Sequence, residues 1–244
     1  MLFFKKKEPV EPVNLGWLRA DLHSHLLPGI DDGAPDVESS LQMIKGLLHL
    51  GYKKIVTTPH VLWEIYPNTS DIITQKVEEV NAALAAEGLS FEITAAAEYF
   101  MDEHFQQELN KKSPLLCIKD NLVLVEFSMI TAPLDFQTIL FEMQMQGYQP
   151  LLAHPERYTY MNGRRSQFED LKFAGCLFQL NLLSLTGYYG KSVQSLAEYL
   201  IDNNFYDYAG TDMHHGRHLE TLQKLSTSPY YKKLMDAGLK NKFL

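Results

Sequence analysis

The residues of this chain with the clearest chemical potential are two histidines and two aspartates near its start. His23 and His25 follow the apolar run 17–22, and Asp31 and Asp32 follow a turn that contains Pro and Gly. In an extended backbone, residues two positions apart point to the same side, so both imidazoles can reach one cation. Carboxylates beside imidazoles are typical of hydrolytic divalent-metal sites. A lone His-x-His pair is also common in cores and on surfaces, so this interpretation needs further ligands elsewhere in the chain.

Further imidazoles and carboxylates occur at the ends of other short apolar runs. Helical stretches separate these runs, and strands that alternate with helices indicate a parallel sheet. The carboxyl ends of parallel strands lie at one edge, so we expect these side chains to converge there. Each could alone be an ordinary polar residue near a loop, but several buried carboxylates together need cations between them. The expected ligands are His23, His25, Asp32, His60, Glu98, Glu126, His154, Asp212 and His214.

The chemistry of this donor set favours some metals over others. Imidazoles mixed with carboxylates suit manganese, iron or zinc rather than calcium, and the set exceeds what one ion uses. Clustered divalent ions activate water and hold phosphoryl oxygens, which indicates phosphate-ester hydrolysis by metal-bound hydroxide. We expect Glu126, on a central strand, to bridge ions. Asp31 is expected to form the turn or to support a ligand.

The elements that must position these residues follow from hydrophobic spacing. Apolar residues at helical intervals predict helices over 36–50, 71–87 and 136–146, and the segment 91–98 is predicted as the third strand. Seven strand–helix units fit a distorted TIM-like (β/α)7 barrel of the α/β class better than an open sheet. We expect residues 17–244 to form one domain after an N-terminal tail, residues 1–16.

Composition excludes several classes of function. With 22 Lys and Arg against 30 Asp and Glu, the net charge is −8, which disfavours nucleic acid as the main partner. Cys117 and Cys176 lack C-x-x-C spacing and are expected to be reduced thiols, so we expect a cytoplasmic protein. No run approaches the ~18 apolar residues of a membrane span, so no integral membrane segment is expected.

Several of these residues belong to short motifs, and the order of these motifs along the chain matches that of a known group of proteins. The motifs are His23-Ser24-His25, Leu27-Pro28-Gly29-Ile30-Asp31-Asp32-Gly33, Thr58-Pro59-His60, Ala97-Glu98-Tyr99, Val125-Glu126-Phe127, Ala153-His154-Pro155-Glu156-Arg157-Tyr158 and Thr211-Asp212-Met213-His214. Together they resemble the PHP (polymerase and histidinol phosphatase) superfamily. Within it they are most similar to the manganese-dependent protein tyrosine phosphatases of bacterial capsule and exopolysaccharide clusters.

This resemblance implies a (β/α)7 barrel in which the nine expected ligands hold three divalent ions, with Mn²⁺ preferred and iron or zinc as alternatives. It implies that Arg157 and Arg217 hold the phosphate, although the interval between His214 and Arg217 is short for the family. The implied substrate is phosphotyrosine on a protein, namely the tail of a tyrosine kinase of polysaccharide export. Aromatic residues that follow strand ends are expected to rim the site: Trp63, Tyr66, Tyr99, Phe100, Phe127, Tyr158 and Tyr160.

Three alternatives stay open at this point. A PHP-type enzyme can act on a small substrate such as histidinol phosphate, or it can cut DNA as an exonuclease. The net charge of −8 and the lack of a stripe of lysine and arginine residues disfavour the exonuclease, because DNA-binding surfaces are normally basic. A non-catalytic regulator is the third alternative. We would expect such a protein to have a residue that cannot bind metal at one or more ligand positions, yet every expected position carries a histidine, aspartate or glutamate.

Overall fold

The computed structural model describes residues 12–244, and its centre is a curled parallel sheet surrounded by helices. The strands are β1 (Ala20–Asp21), β2 (Lys54–Thr57), β3 (His60–Val61), β4 (Thr94–Ala95), β5 (Glu98–Phe100), β6 (Leu122–Glu126), β7 (Gln149–Ala153), β8 (Leu177–Asn181) and β9 (Tyr208–Gly210). The α-helices are α1 (Val37–His49), α2 (Ser70–Ala86), α3 (Glu103–Asn110), α4 (Phe136–Met145), α5 (Ser166–Phe173), α6 (Lys191–Asp202), α7 (Gly216–Leu222) and α8 (Tyr230–Met235). Short 3-10 helices span Pro155–Arg157, Thr159–Met161, Leu182–Thr186, Gln223–Thr227 and Lys240–Phe243.

The strands form two parallel ladders that continue into one another. One has the order β1-β2-β4 and the other β3-β5-β6-β7-β8-β9. Only Thr58 and Pro59 separate β2 from β3, and only Ala96 and Ala97 separate β4 from β5. Backbone hydrogen bonds span these breaks, for example from the amide of Ala96 to the carbonyl of Thr57 at 2.9 Å. The two ladders therefore act as one sheet whose strand ends share an edge.

The first and last strands also meet beyond their regular ends. Ser24 and Met213 form a parallel bridge. The amide of His25 donates to the carbonyl of Met213 at 2.8 Å, and the amide of Asp212 donates to the carbonyl of His23 at 2.7 Å. The histidine pair thus lies against the segment that carries the last predicted ligands.

The three predicted helices are confirmed as α1, α2 and α4, and side chains cap the starts of α1 and α2. The carboxylate of Asp36 accepts a hydrogen bond from the amide of Ser39 at 2.8 Å at the start of α1. Asp102 caps α3 in the same way through the amide of Phe105 at 2.8 Å. Because each helix buries one apolar face against the sheet, the helices fix the positions of the strand ends.

Two predicted strands differ from the structure. The predicted strand over 17–22 is reduced to Ala20–Asp21, because Arg19 adopts a left-handed conformation with φ of 67°. The strand predicted over 91–98 is split between β4 and β5, and it starts later because the side chain of Asn81 takes up both the amide and the carbonyl of Ile93.

The predicted tail, residues 1–16, lies mostly outside the described residues. Within it, Val13 and Leu15 are buried and belong to the main apolar core. The packed part of the chain therefore begins earlier than residue 17, because these two side chains cover apolar surface. Among residues 12–244, no helix has the length and apolar character needed to cross a membrane.

Candidate metal centre

All nine residues predicted as metal ligands converge at the carboxyl edge of the sheet. They form four overlapping groups whose donor atoms lie within 4.8 Å of one another. The groups are His25, Asp32, His60 and His214; His23, His154 and Asp212; His23, His25 and Glu98; and His60, Glu98 and Glu126. Several residues belong to two groups, so neighbouring groups share donors.

The imidazoles of His23 and His25 are held with the same nitrogen facing the cluster. Nδ1 of His23 lies 2.9 Å from Oε1 of Gln179, and Nδ1 of His25 lies 2.8 Å from the carboxylate of Asp31. Both partners are acceptors, so each Nδ1 carries the proton and donates it. The two Nε2 atoms then face each other at 3.4 Å, and both would be unprotonated when they ligate a metal. A cation beside both nitrogens would satisfy these lone pairs, as is usual for ligating histidines.

Asp31 supports the site in the way the sequence predicts. Besides the His25 ring, its carboxylate accepts hydrogen bonds from the amides of Gly33 at 3.0 Å and His60 at 3.1 Å. A side chain at Gly33 is impossible without movement, since a Cβ there would lie 2.1 Å from the carbonyl oxygen of His25. The turn around Asp31 therefore packs directly against the histidine that it orients.

Backbone geometry directs two further donors into the cluster. His154 follows β7 with φ of 34°, and Asp212 follows β9 with φ of 50°. Such left-handed conformations cost energy in residues other than glycine and persist where the surroundings enforce them, often at functional sites. His214 is also fixed, because its Nδ1 donates to the carbonyl of Asp212 at 2.9 Å and leaves Nε2 facing Asp32 at 3.4 Å.

Glu98, rather than Glu126, lies at the centre of the donor cluster. Its carboxylate is within 3.3 Å of one ring nitrogen on each of four histidines, which are His23, His25, His60 and His154. Glu126 lies 3.1 Å from Nδ1 of His60 and 3.9 Å from Nε2 of His154. Glu98 is shared by two of the donor groups and Glu126 belongs to one, so Glu98 is also placed to bridge ions, and the bridging role of Glu126 stays a prediction.

The cluster fits divalent cations on grounds independent of the motifs. Four buried atoms in it have no hydrogen-bond partner among the described residues: Nδ1 of His60, Oε2 of Glu98, Nδ1 of His154 and Oδ1 of Asp212. Unpaired buried polar atoms are costly, and ligation by a metal removes that cost. Burial opposes charge on His23, yet Glu98 and Asp212 raise its pKa to about 9. The site thus attracts positive charge strongly.

A cavity lies over the donor cluster, and Arg157 lines it from the 3-10 helix that follows β7. Its Nη1 donates to Oδ2 of Asp212 at 2.9 Å, and its guanidinium lies 4.4 Å from the ring centre of Tyr189. Oδ2 of Asp212 also accepts from Nδ2 of Asn181 at 2.6 Å. Both contacts hold one oxygen of Asp212, so that its other oxygen remains directed to the histidines. Sequence reasoning gave no role to Asn181, although it ends β8 as the predicted ligands end their own strands.

The buried carboxylate of Glu156 holds the segment that carries His154 and Arg157. Glu156 accepts hydrogen bonds from the hydroxyl of Ser184 at 2.7 Å, the hydroxyl of Tyr206 at 2.9 Å and the amide of Asn181 at 3.0 Å. Burial raises the pKa of Glu156. Because Glu156 stands between His154 and Arg157 in the chain, its three bonds fix the segment that presents both side chains.

The structure does not bring Arg217 into the cavity, so it gives no support to the prediction that this residue holds phosphate. The cavity measures about 470 Å³ and is lined by Arg157, His215 and His218 but not by Arg217. Helix α7 begins immediately after His215, so His215 and His218 share one helical face while Arg217 is exposed on another.

Aromatic side chains rim the cavity in part as predicted. Tyr66, Phe100 and Phe127 line it, together with Tyr188 and Tyr189, which sequence reasoning missed. Other predicted rim residues lie elsewhere: Tyr99 and Tyr158 are buried, Tyr160 donates to the carbonyl of Ser128, and Trp63 borders a neighbouring groove. The mouth therefore offers flat apolar surfaces beside a polar, cation-attracting floor.

A curled parallel sheet with this donor cluster at its carboxyl edge defines an α/β protein with a candidate metal centre. The family model described as "Capsular polysaccharide synthesis, CpsB/CapC" matches residues 19–237. The chain thus belongs to the CpsB/CapC family of capsular polysaccharide synthesis, which confirms the resemblance found in the sequence.

Curated relatives and a solved structure agree with this assignment. The chain is 27% identical over 194 residues to the tyrosine-protein phosphatase YwqE of Bacillus subtilis, covering 80% of this chain and 76% of YwqE. It is 27% identical over 199 residues to the tyrosine-protein phosphatase CpsB of Streptococcus agalactiae, covering 80% and 82% of the two chains. A crystal structure from work on YwqE and Streptococcus pneumoniae CpsB, described as unique metal-dependent tyrosine phosphatases, matches with a TM-score of 0.78 at 24% identity. That match covers 92% of this chain and 90% of the other, and it supports the α/β fold.

Proposed function

We propose that this protein is a metal-dependent protein tyrosine phosphatase. The observation that carries the proposal is the convergence of nine imidazole and carboxylate donors, with unpaired buried atoms among them, at a cavity that seven of the nine line. Membership of the CpsB/CapC family and the names of the relatives point to the same activity.

We propose that three divalent ions, Mn²⁺ in preference to iron or zinc, are held by His23, His25, Asp32, His60, Glu98, Glu126, His154, Asp212 and His214. Overlapping donor groups support several ions rather than one, and mixed imidazole and carboxylate ligands suit these metals. When bound, such ions supply Lewis acidity and lower the pKa of a bound water to about 7. The protein then needs no nucleophile of its own.

The role we assign to Arg157 is to hold the phosphate. Guanidinium has five N–H donors, and among the described residues only one contact, to Asp212, uses them. Although burial opposes its charge, Asp212 raises the pKa of Arg157, so the side chain stays cationic. Its remaining donors can bind two phosphoryl oxygens and offset the charge that develops in the transition state. Tyr189, stacked on the guanidinium, limits its motion.

We also propose how the sheet closes, where in the cell the protein lies and which partner it acts on. The bridge between Ser24 and Met213 supports closure of the sheet into a distorted (β/α)7 barrel that forms a single domain. Cys117 and Cys176 are unpaired, which supports a reducing, cytoplasmic location. The proposed partner is the phosphorylated tail of a polysaccharide-export tyrosine kinase.

A substrate comparison tests the proposed activity. We expect kcat/KM to be highest for a phosphotyrosine peptide, because the partly exposed rings of Tyr66 and Phe100 can pack against a phenyl ring at the mouth. The comparison uses a phosphoserine peptide, histidinol phosphate and single-stranded DNA under the same metal loading. The proposal fails if histidinol phosphate or DNA is the best substrate.

A cysteine experiment separates this chemistry from that of the thiolate-dependent tyrosine phosphatases. Those enzymes place an arginine six residues after the cysteine, but Val123 and Leu182 occupy these positions after Cys117 and Cys176. Burial raises the pKa of both thiols, that of Cys176 to about 12, so neither is a thiolate at neutral pH. We expect a Cys117→Ser/Cys176→Ala enzyme to keep kcat within about twofold. A hundredfold loss in the folded double variant would exclude a route without a protein nucleophile.

A further inference from the structure

A groove beside the metal cavity has features that phosphate hydrolysis does not require. It measures about 430 Å³ and is lined by Leu62, Trp63, Glu64, Phe100, Asp102, Glu103, His104 and Gln107. We call it the acidic groove. Leu62 and Phe100 also line the metal cavity, so the two spaces form one continuous surface. A peptide whose phosphotyrosine enters the metal cavity must therefore pass close to the groove.

The charge of the groove is one-sided. Three carboxylates line it, and no lysine or arginine does. Glu64 and Glu103 are exposed, and neither takes part in a salt bridge within residues 12–244. By contrast, Glu79 pairs with Lys76 at 2.8 Å on the adjacent helix α2. The groove carboxylates are thus available to a cation from outside the chain.

The floor of the groove is aromatic. The Trp63 ring stacks on the His104 ring, with 4.0 Å between ring centres and 14° between planes, while 46% of Trp63 remains exposed. Trp is the best aromatic partner for a lysine or arginine cation. The aromatic floor and the acidic lining arise from different residues, and both favour the same type of side chain.

We propose that the acidic groove binds a lysine or arginine side chain that lies close to the phosphotyrosine in the substrate protein. This inference rests on the proposed function, because it concerns the same substrate. The metal cavity attracts the phosphate dianion and the groove attracts a neighbouring cation, so the two together define a complementary charge pattern. Acidic side chains at the same position in the substrate are repelled.

Matched phosphotyrosine peptides test the proposal. Each has lysine, alanine or glutamate at one position before or after the phosphotyrosine, and kcat/KM is measured with the metal-loaded enzyme. At one or more positions, we expect lysine to exceed alanine by about fivefold or more, the scale of two exposed ion pairs and a cation–π contact, and glutamate to fall below alanine. The preference should weaken as salt is added.

Charge-neutralising variants locate the preference. Glu64→Gln/Glu103→Gln is expected to remove the lysine preference, while Asp102 remains to cap α3. The matched control, Glu78→Gln/Glu169→Gln, changes the same charge at exposed positions outside the groove and should keep the preference. Hydrolysis of p-nitrophenyl phosphate, which has no flanking residues, should be unchanged in both variants.

The outcomes separate this proposal from the proposed function. Equal kcat/KM for lysine and glutamate peptides, or a preference that survives in Glu64→Gln/Glu103→Gln, would overturn the acidic groove while leaving the phosphatase intact. A wild-type protein that hydrolyses neither p-nitrophenyl phosphate nor any phosphotyrosine peptide would instead refute the phosphatase.

Discussion

Removal of bound metal is expected to reduce phosphotyrosine hydrolysis to the background rate, and Mn²⁺ is expected to restore it better than Mg²⁺. Five of the nine donors are imidazoles, which bind transition metals more readily than the hard Mg²⁺ ion. Without cations, the site lacks the Lewis acid that lowers the pKa of water, and both thiols are protonated and therefore poor nucleophiles. The measurement is kcat/KM after chelation and after titration with each ion.

The controls for this experiment concern metal that resists removal. Elemental analysis must show that chelation has emptied the protein, and circular dichroism must show that it is still folded. Full turnover by a folded protein that contains no metal would refute the proposed mechanism. A Glu98→Gln variant provides a second approach, because Glu98 contacts four histidines and should lose metal content and activity together.

Replacement of Arg157 is expected to have the second-largest effect. Arg157→Ala should lose roughly 2–4 kcal/mol of transition-state stabilisation, the scale of one lost charge-stabilising donor, which corresponds to about 30- to 1000-fold in kcat/KM. Arg157→Lys should recover only part of this loss, since an ammonium cannot reproduce the planar fork. Because Arg157 also donates to Asp212, metal content is measured beside activity.

Arg217→Ala is the matched control. It removes the same charge from an exposed position that does not line the cavity, so its kcat/KM should remain within a few-fold of wild type. Unchanged activity in Arg157→Ala, or a larger loss in Arg217→Ala, would exchange the roles assigned to the two arginines.

The sequence predicted the convergence of the nine donor side chains because that convergence depends mainly on topology. Most of the predicted donors lie at a strand end or within four residues after one, and parallel strands bring their carboxyl ends to one edge whatever their detailed packing. Asp32 is the exception, since it lies in the long loop between β1 and α1. The central role of Glu98 was not predictable in this way, since it depends on register. His60 pairs with Glu98, whereas Glu126 pairs with Phe100, two residues further along β5.

The supporting residues were harder to predict because they carry no periodic signal. Gln179 lies inside β8 and resembles any strand residue, yet its side chain orients His23. Asn181 and Tyr189 act on Asp212 and Arg157 through contacts between segments far apart in the chain. Such pairings depend on side-chain packing in three dimensions, which no spacing rule encodes.

The meeting of the first and last strands has a consequence for how the protein is made. Thr211 donates to the carboxylate of Asp21 through its amide at 2.9 Å and its hydroxyl at 2.8 Å, across 190 positions of sequence. Contacts between such distant positions form late, because the chain must first lose the entropy of closing a long loop. The ribosome releases His23 and His25 long before Asp212 and His214, so the donor cluster of a nascent chain stays incomplete until this last segment has emerged. We therefore expect no metal-dependent activity from a chain that stops before Asp212.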